Sequence, residues 1–441
     1  MLISFLFIIE VFLIFLMLSI TKNDIFRPSL LMLSVFAIST FFAVLNIYNW
    51  NIKYSFKAFA IMLLGFLMAV LADYLMFFFY KNYHSKEQKL QIMVIDNWKI
   101  LLVILLDLIT IFLYYQEIKR LATLGGYIDG ANLLWHFRNV TSYEAEASLN
   151  GLVSLLIKIV DAFGYVFTFA FIQNFLSKEI SLKKYFAYVI PIVLFAIKVL
   201  MGSGRQELLR WVAFSLVVSC ILFQYQTGWS KNISLKYIKR AFVLVPVVLV
   251  LFYLATNVIG RETTRTFFQY ISTYAGGSIQ HFNQYIIDPP LVVENHFGAE
   301  TFPGVYSLLN RFDLTNYTRS VHLEMRQLGI TQGNIYTFFR RPYHDFGLIV
   351  MCMMTFFIIL FFSGWYSSFK KRVLNRKTNY SIICYGFLIY WVVLSSIENY
   401  TIGIVSLGTV VTLIVIKCVY TFLFGFSIKK GVITIGDKIE E

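Results

Sequence analysis

Arginine and lysine are distributed unevenly along this chain, and the stretch that contains only arginine is the first candidate for a functional site. Residues 260–343 contain seven arginines and no lysine, whereas the remaining residues contain 8 arginines and 23 lysines. Arginine presents a planar fork that binds phosphate or carboxylate through two parallel hydrogen bonds, whereas lysine is a strongly hydrated point charge. We therefore expect residues 260–343 to hold an anionic group.

A second arginine-bearing segment lies at 201–210. Gly202 and Gly204 permit a tight turn, and Arg205 and Arg210 then lie at a helix start, from which both reach the same cavity. The free backbone N–H groups of the helix N-terminus favour an anion there. The alternative is a polar turn whose arginine extends to the membrane surface, and the local sequence does not choose between the two.

Two further motifs border or lie within the arginine-rich stretch. Arg261 and Arg265 are four residues apart, so they share one helical face and repel each other unless an anion lies between them. The alternative is an ion pair of Arg261 with a nearby acid.

The segment 332–347 contains Arg340, Arg341, His344, Asp345 and Tyr336 just before an apolar stretch. Asp345 is positioned to cap the following helix, or His344 and Asp345 are general acid–base groups.

Five ionisable residues fall inside apolar stretches: Asp73, Asp107, Lys158, Asp161 and Lys198. Such groups are costly in lipid, so they face an interior cavity or pair with each other. The spacing of Lys158 and Asp161 predicts an ion pair within one helix. Asp107 is the strongest indication of a transporter.

The composition indicates an integral membrane protein. The chain is 58% hydrophobic and 14% charged, against about 25% charged in a soluble domain. Most lysines lie in short loops, where they set topology and contact anionic lipids, so the net charge of +14 does not indicate nucleic acid. The four cysteines lack the spacing of a zinc site or a disulfide framework.

The apolar periodicity predicts an all-α polytopic membrane protein. A membrane-spanning helix needs about 20 apolar residues, which gives eleven predicted spans, with a range of 10–12. The spans are 2–20, 29–48, 56–80, 98–116, 150–176, 185–202, 208–225, 241–259, 344–364, 380–397 and 403–424.

Lysine and arginine in alternate connections predict the orientation in the cytoplasmic membrane. The lysine-rich connections, such as 231–240 and 370–377, are predicted to be cytoplasmic. The N-terminus is then outside, the C-terminus and tail 425–441 are cytoplasmic, and 260–343 is one large, partly helical extracytoplasmic loop. We expect a single integral membrane domain over 1–441.

Several common catalytic motifs are absent from the sequence. There is no DxD motif, P-loop, GxSxG or HExxH. A cytoplasmic nucleotide-sugar enzyme and an ATP-driven pump are therefore not expected, and neither a metal nor a cofactor is expected.

The arrangement resembles the oligosaccharide repeat-unit polymerases, the Wzy-type O-antigen or capsule polymerases. The resemblance covers most of the chain through its topology, and locally it rests on GSGRQELL (202–209), YAGGSIQHFNQYI (274–286) and GNIYTFFRRPYHDFG (333–347). Arg265 and Gly276 also show an Arg-x10-Gly spacing found in some members. Leu216 stands where the same spacing from Arg205 would require glycine.

The resemblance implies a metal-independent glycosyltransferase of GT-C-like architecture. It would transfer a growing oligosaccharide from undecaprenyl pyrophosphate to the next lipid-linked repeat on the outer face of the membrane. The expected phosphate-binding residues are Arg205, Arg210, Arg261 and Arg265, with Arg340 or Arg341 on the other phosphate. Asp345, His344 and Glu300 are the candidate bases, in that order, and Tyr336 would stack on a sugar ring.

Membrane lipids, a flippase and a chain-length regulator are further partners that the resemblance implies. Two rival functions stay open at this point. A glycan ligase would use the same donor and similar arginines, whereas a flippase for lipid-linked sugar would use the acids inside the membrane, Asp107 first.

Overall fold

The computed structural model shows a bundle of helices with two small β-hairpins. It describes residues 1–83, 86–128, 132–143, 148–177, 182–202, 204–229, 266–290, 297–315, 323–403, 406–429 and 432–435.

The helices within these residues are numbered in chain order. They are α1 (Leu2–Ile20), α2 (Pro28–Leu45), α3 (Phe56–Tyr80), α4 (Asn97–Leu124), α5 (Leu133–Arg138), α6 (Gly151–Ser177), α7 (Leu182–Met201), α8 (Arg205–Gln226), α9 (Phe267–Ile287), α10 (Pro303–Arg311), α11 (Arg340–Ser368), α12 (Arg376–Leu388), α13 (Tyr390–Val393) and α14 (Leu407–Phe424). The antiparallel hairpins are β1 (Arg326–Leu328) with β2 (Thr331–Gly333), and β3 (Phe426–Lys429) with β4 (Val432–Ile435).

The protein is an all-α polytopic membrane protein. In the described part of the chain, eight helices are long and apolar enough to cross a membrane, namely α1, α2, α3, α4, α6, α8, α11 and α14. Each coincides with a predicted span. The predicted span 185–202 is α7, whose apolar part Phe186–Met201 is shorter, and the predicted span 241–259 lies outside the described residues.

The predicted span 380–397 is shifted towards the N-terminus. Helix α12 begins at Arg376 because the Asn375 side chain accepts the Thr378 backbone N–H, which caps the helix. The helical turns end at Val393. The polar residues that follow therefore form a connection to α14, and this connection contributes to the candidate site.

Several buried charges between the helices are paired. Arg27, before α2, donates through Nε to Asp73 Oδ1 of α3 at 2.9 Å, and both side chains are fully buried. The predicted Lys158–Asp161 pair is wrong, because Asp161 Oδ1 lies 2.6 Å from Lys198 Nζ of α7. Lys158 Nζ instead donates to Ser154 Oγ at 3.0 Å, one turn earlier on its own helix.

A fully buried lysine joins three helices. Lys198 Nζ of α7 also lies 2.8 Å from Glu207 Oε2 of α8, in addition to its contact with Asp161 of α6. The Lys198 cation neutralises one of the two carboxylates, and the Glu207 side chain, which is 40% exposed, keeps the remaining negative charge close to solvent. This triad fixes the position of the first turns of α8.

Helix α9 is a 21-residue helix inside the predicted loop 260–343, and it is built into the bundle. Thr266 and Gln269 form a capping box at its start. It packs against α2, where Gly276 comes so close that an added Cβ would lie 2.8 Å from Ala43 N. Asn283 accepts the Ser55 N–H at 2.8 Å and donates to the Lys53 carbonyl at 3.0 Å.

Two backbone features place the functional residues that follow α9. The turn of the β1–β2 hairpin contains Gly329 at φ +60, and the hairpin is held along α9 by a hydrogen bond from Gln284 Nε2 to the Gln327 carbonyl (2.8 Å). Gly347, at φ 75 and ψ −169, interrupts α11. The turns at 340–346 therefore have a direction different from the long apolar part of α11.

Candidate functional site

The first turns of α11 carry most of the residues that the sequence singled out. Arg340 Nη1 donates to Glu300 Oε2 at 2.8 Å, and its Nη2 lies 3.0 Å from Glu324 Oε2. Its guanidinium carbon lies 3.8 Å from the centroid of the Tyr285 ring. Arg340 is fully buried. Both Nη nitrogens are therefore taken up by carboxylates, and only Nε is buried without a hydrogen-bond partner.

His344 lies on the same side of α11 as Arg340, one turn later. Its Nδ1 is 3.1 Å from Tyr285 Oη, and its Nε2 is 3.6 Å from Glu300 Oε1. The His344 and Glu300 side chains are 13% and 26% exposed. An imidazole between a phenol and a partly exposed carboxylate is a chemically sensible relay for a proton.

Asp345 was expected either to cap the following helix or to act in catalysis. In the structure its carboxylate instead binds the backbone of a neighbouring turn. Its Oδ2 accepts the Thr301 backbone N–H at 2.7 Å. Glu300 and Thr301 are neighbours, so Asp345 fixes the turn that presents Glu300 to Arg340 and His344. The three candidate bases, Asp345, His344 and Glu300, thus lie in one small region.

Arg341 ties α11 to the connection between α13 and α14. Its Nε donates to Glu398 Oε1 at 3.0 Å, and its Nη1 donates to the Glu300 carbonyl at 3.4 Å. The side chain is 4% exposed. Like Arg340, Arg341 is neutralised by a carboxylate in this structure.

Tyr336 is part of the core beneath these charges. Its side chain is fully buried and its hydroxyl donates to the Glu324 carbonyl at 2.9 Å. The predicted stacking of Tyr336 on a sugar ring would need an exposed ring face, and the Tyr336 ring has none in this structure. Burial alone would raise the pKa of the Glu324 carboxyl, but Arg340 and Arg326 hold that pKa below its ordinary value.

Arg210, on the second turn of α8, differs from the arginines of α11. Its Nη2 donates to Tyr390 Oη at 3.0 Å, and its guanidinium carbon lies 4.1 Å from the centroid of the Tyr390 ring. Its Nε is buried without a hydrogen-bond partner, as is the Nε of Arg340, so the difference lies in the carboxylate partners. Within the part of the chain that the structure describes, no carboxylate forms a salt bridge with Arg210.

The α8 and α11 groups meet at the connection that follows α13. The Tyr390 and Tyr400 rings are 5.6 Å apart. Burial raises the pKa of Tyr400, Glu398 raises it further, and Arg210 and Arg341 oppose the rise. Tyr390 is the partner of Arg210, and Glu398, two residues before Tyr400, is the partner of Arg341. Two segments more than 100 residues apart in the sequence converge on the same small part of the bundle.

Several predicted site residues cannot be placed. Arg261 and Arg265 fall in 230–265, outside the described residues. Arg205 is the first residue of α8, and its side chain is also outside the described part.

Three residues that complete the site were not predicted from the sequence, namely Tyr285, Glu324 and Glu398. A buried guanidinium needs a carboxylate partner, since an unpaired buried charge is very costly. The arginine-rich stretch contains six acids against seven arginines, so acid partners for the buried arginines were to be expected, and Glu324 is one of the six. Glu398 lies one residue beyond the predicted span 380–397 and was not considered.

Comparisons of this chain with protein-family models, with curated proteins and with solved structures found no match. The function therefore has to be argued from the residues of the site and not from a relative.

Proposed function

We propose that this protein is a bacterial polysaccharide polymerase of the cytoplasmic membrane. It would transfer a growing oligosaccharide from undecaprenyl pyrophosphate to a lipid-linked repeat unit on the outer face. The single observation that carries the proposal is that Arg210 and Arg341 both bind the short segment 390–398, Arg210 through Tyr390 and Arg341 through Glu398, while Arg341 also contacts the backbone of Glu300 beside the acid–base groups of α11. Such a site suits a reaction whose donor is anionic and anchored in lipid.

Arg210 is the described residue best suited to hold the donor pyrophosphate. Its guanidinium is already oriented by the hydroxyl and ring of Tyr390, and it has an unused buried N–H at Nε. A preoriented cation that lacks a carboxylate partner stabilises the charge that develops on a leaving phosphate. Arg205, Arg261 and Arg265 would add to this charge from the neighbouring segments.

The reaction breaks the bond between the anomeric carbon and the phosphate oxygen, and undecaprenyl pyrophosphate leaves with the electron pair. The acceptor hydroxyl forms the new glycosidic bond and gives its proton to a base. His344, Asp345 and Glu300 remain the candidates for that base. His344 has the contacts that a relay needs, since it lies between Tyr285 and Glu300.

The proposal includes the orientation that the lysine-rich connections predict. The N-terminus would be outside, the C-terminus cytoplasmic, and 260–343 extracytoplasmic. A flippase would supply the lipid-linked repeats and a chain-length regulator would act on the product. A ligase that moves the finished glycan to another acceptor would use the same arginines.

One observation favours the rival function, a flippase for lipid-linked sugar. Asp107 of α4 is fully buried, and neither of its carboxylate oxygens has a hydrogen-bond partner among the described residues. Ionisable groups in such positions often belong to transport pathways. Asp107 has no second ionisable group beside it in the described part of α4 that would extend a pathway, so the polymerase is the better-supported proposal.

The test replaces Arg210 with lysine and with alanine in cells that depend on this protein for surface glycan. Loss of one oriented cation should cost about 2–4 kcal/mol of transition-state stabilisation, or roughly 30- to 1,000-fold in rate. Long glycan chains should therefore disappear from a gel in the alanine variant, while single lipid-linked repeats accumulate on the outer face. Lysine should restore only part of the activity, because it lacks the planar fork.

The matched control is Arg120→Ala. Arg120 lies on α4, is 53% exposed and forms a surface pair with Glu117, so its loss should leave the glycan ladder unchanged. An immunoblot of the membrane fraction checks that each variant is present at the normal level. Single repeats retained on the inner face would contradict the polymerase and favour the flippase.

A further inference from the structure

An uncharged pocket with both polar and apolar lining lies at the other end of α9 from the charged site. It has a volume of about 210 Å³ and lies between the α2–α3 connection, the first turns of α9 and the turn of the β1–β2 hairpin. Its polar lining consists of Asn46, Asn49, Gln269, Thr273 and Thr331, and its main aromatic wall is Trp50. None of the lining residues carries a charge.

The pocket offers hydrogen-bonding groups of both kinds. Gln269 uses its Oε1 to accept the Thr266 N–H in the capping box, which leaves Nε2 as a donor. Asn49 uses Nδ2 to donate to Asn46 Oδ1, which leaves its own Oδ1 as an acceptor. Among the described residues, neither remaining atom has a protein partner, and the same holds for the indole N–H of Trp50.

The backbone fixes the shape of this pocket. Gly329 at φ +60 lies so close to the α2–α3 connection that an added Cβ would be 2.7 Å from the Asn49 carbonyl oxygen and 3.3 Å from Trp50 Cδ1. The hairpin turn is therefore held against Trp50 without a side chain of its own. This close approach, together with the buried Thr273 and Leu328, gives the pocket a rigid floor.

We propose that this pocket binds a neutral saccharide unit of the glycan chain. Amides, hydroxyls and an indole without any charge match a ligand that carries many hydroxyl groups and an apolar ring face. A phosphate or a lipid headgroup would lack a cation here. The volume is below the roughly 300–1,000 Å³ of sites for drug-sized ligands, so the pocket holds one sugar ring and not a whole repeat.

The position of the pocket explains its use, and this part of the inference rests on the proposed function. Thr273 in the pocket and Tyr285 in the charged site lie on the same helix, twelve residues apart, which corresponds to about 18 Å along α9. A few linked sugar rings span such a distance. The pocket would hold a sugar of the chain while another sugar of the same chain reacts near His344.

The test measures binding of neutral oligosaccharides to the purified protein by titration calorimetry. The probe is the neutral fraction from partial hydrolysis of the surface glycan of the producing strain. The detergent must lack a sugar headgroup, because a maltoside would itself compete for the pocket. The wild type should bind the probe saturably.

The variants are Asn49→Ala and Gln269→Glu. The glutamate keeps an Oε acceptor for the capping box, so α9 still begins normally, but it replaces the amide donor with a second acceptor and adds a negative charge. Each change should weaken binding about 2- to 10-fold, as expected for the loss of one hydrogen bond. Gln116→Glu makes the same chemical change at an exposed position of α4, and it should leave the affinity unchanged.

If the wild type shows no saturable binding, the proposed saccharide site is wrong. It is also wrong if both pocket variants bind the probe with wild-type affinity. Neither result bears on the polymerase, because the Arg210 variants and the glycan ladder test that function separately. Conversely, saturable binding that the pocket variants weaken supports the saccharide site even if the protein moves glycan without lengthening it.

Discussion

At the scale of single residues, the site depends on which cations already have a partner. Arg340 and Arg341 are buried against Glu300, Glu324 and Glu398, so their first effect is to hold α11 and two connections in place. Arg210 has a tyrosine in place of a carboxylate. This difference separates arginines that stabilise the fold from an arginine that is available for an anionic ligand.

The Arg341–Glu398 pair should therefore contribute to stability. Removal of one partner of a buried pair leaves a buried charge and typically costs about 3–5 kcal/mol. We expect both Arg341→Met and Glu398→Gln to lower the unfolding temperature in detergent strongly, and the double variant to lose less than the sum of the two. Strictly additive losses would show that the pair has no coupling energy.

The control for this cycle is Arg120→Met. Arg120 is 53% exposed, and the Glu117 carboxylate that it leaves still accepts the Asn150 N–H, so this variant should lose less stability than Arg341→Met.

His281 of α9 should make the protein sensitive to mild acid. The side chain is fully buried, and its Nδ1 donates to the Ile335 carbonyl at 2.9 Å. Burial lowers its pKa to about 4, whereas an unfolded histidine titrates near about 6.5. Between these values the unfolded state binds a proton that the native state does not, so stability falls as the pH decreases from 6.5 to 4.

The loss over this window should approach about 3 kcal/mol, since each pKa unit corresponds to about 1.4 kcal/mol. Thermal unfolding at a series of pH values measures it. His281→Asn keeps a donor for the Ile335 carbonyl and cannot titrate. This variant should show a smaller loss over the window, and an unchanged pH profile would contradict the role of His281.

At the scale of elements, α9 connects the two proposed binding regions. It packs on α2, its polar side chains fix the α2–α3 connection, and its two ends reach the saccharide pocket and the charged site. The amphipathic sequence of α9 contains too many polar residues for a membrane span. Its place in the bundle depends on partners far away in the chain, such as Ser55 and Lys53.

Gly276 should be the position where α9 is most sensitive to added volume. A Cβ there would lie 2.8 Å from both Ala43 N and Phe42 Cβ, and a backbone atom of α2 cannot move away alone. We expect Gly276→Ala to destabilise the protein by about 1–3 kcal/mol, the usual cost of overpacking. The unfolding temperature in detergent measures this cost.

Gly151→Ala is the matched control, because a Cβ at the start of α6 would meet no atom within 4 Å. A Gly276→Ala protein as stable as Gly151→Ala would mean that α9 and α2 are not packed as described.

At the scale of the whole molecule, the sequence predicted the helices well and the site only in part. Apolar segments of about 20 residues have few alternatives to a spanning helix, which is why α1, α3 and α14 have nearly the predicted ends. The side-chain partners depend on tertiary contacts, so the Asp161–Lys198 pair and the meeting of Arg210 with Tyr390 could not be read from spacing. Helix α12 begins before the predicted span 380–397 because the Asn375 cap, and not hydropathy, determines its first residue.

The most direct test of the proposed function uses the purified protein in lipid vesicles. The vesicles contain lipid-linked repeats from a strain that lacks this protein, together with a chelator and no nucleotide sugar. We predict glycan chains longer than one repeat and release of undecaprenyl pyrophosphate, both lost with Arg210→Ala. Repeats that cross the bilayer without becoming longer would contradict the polymerase and identify a transporter.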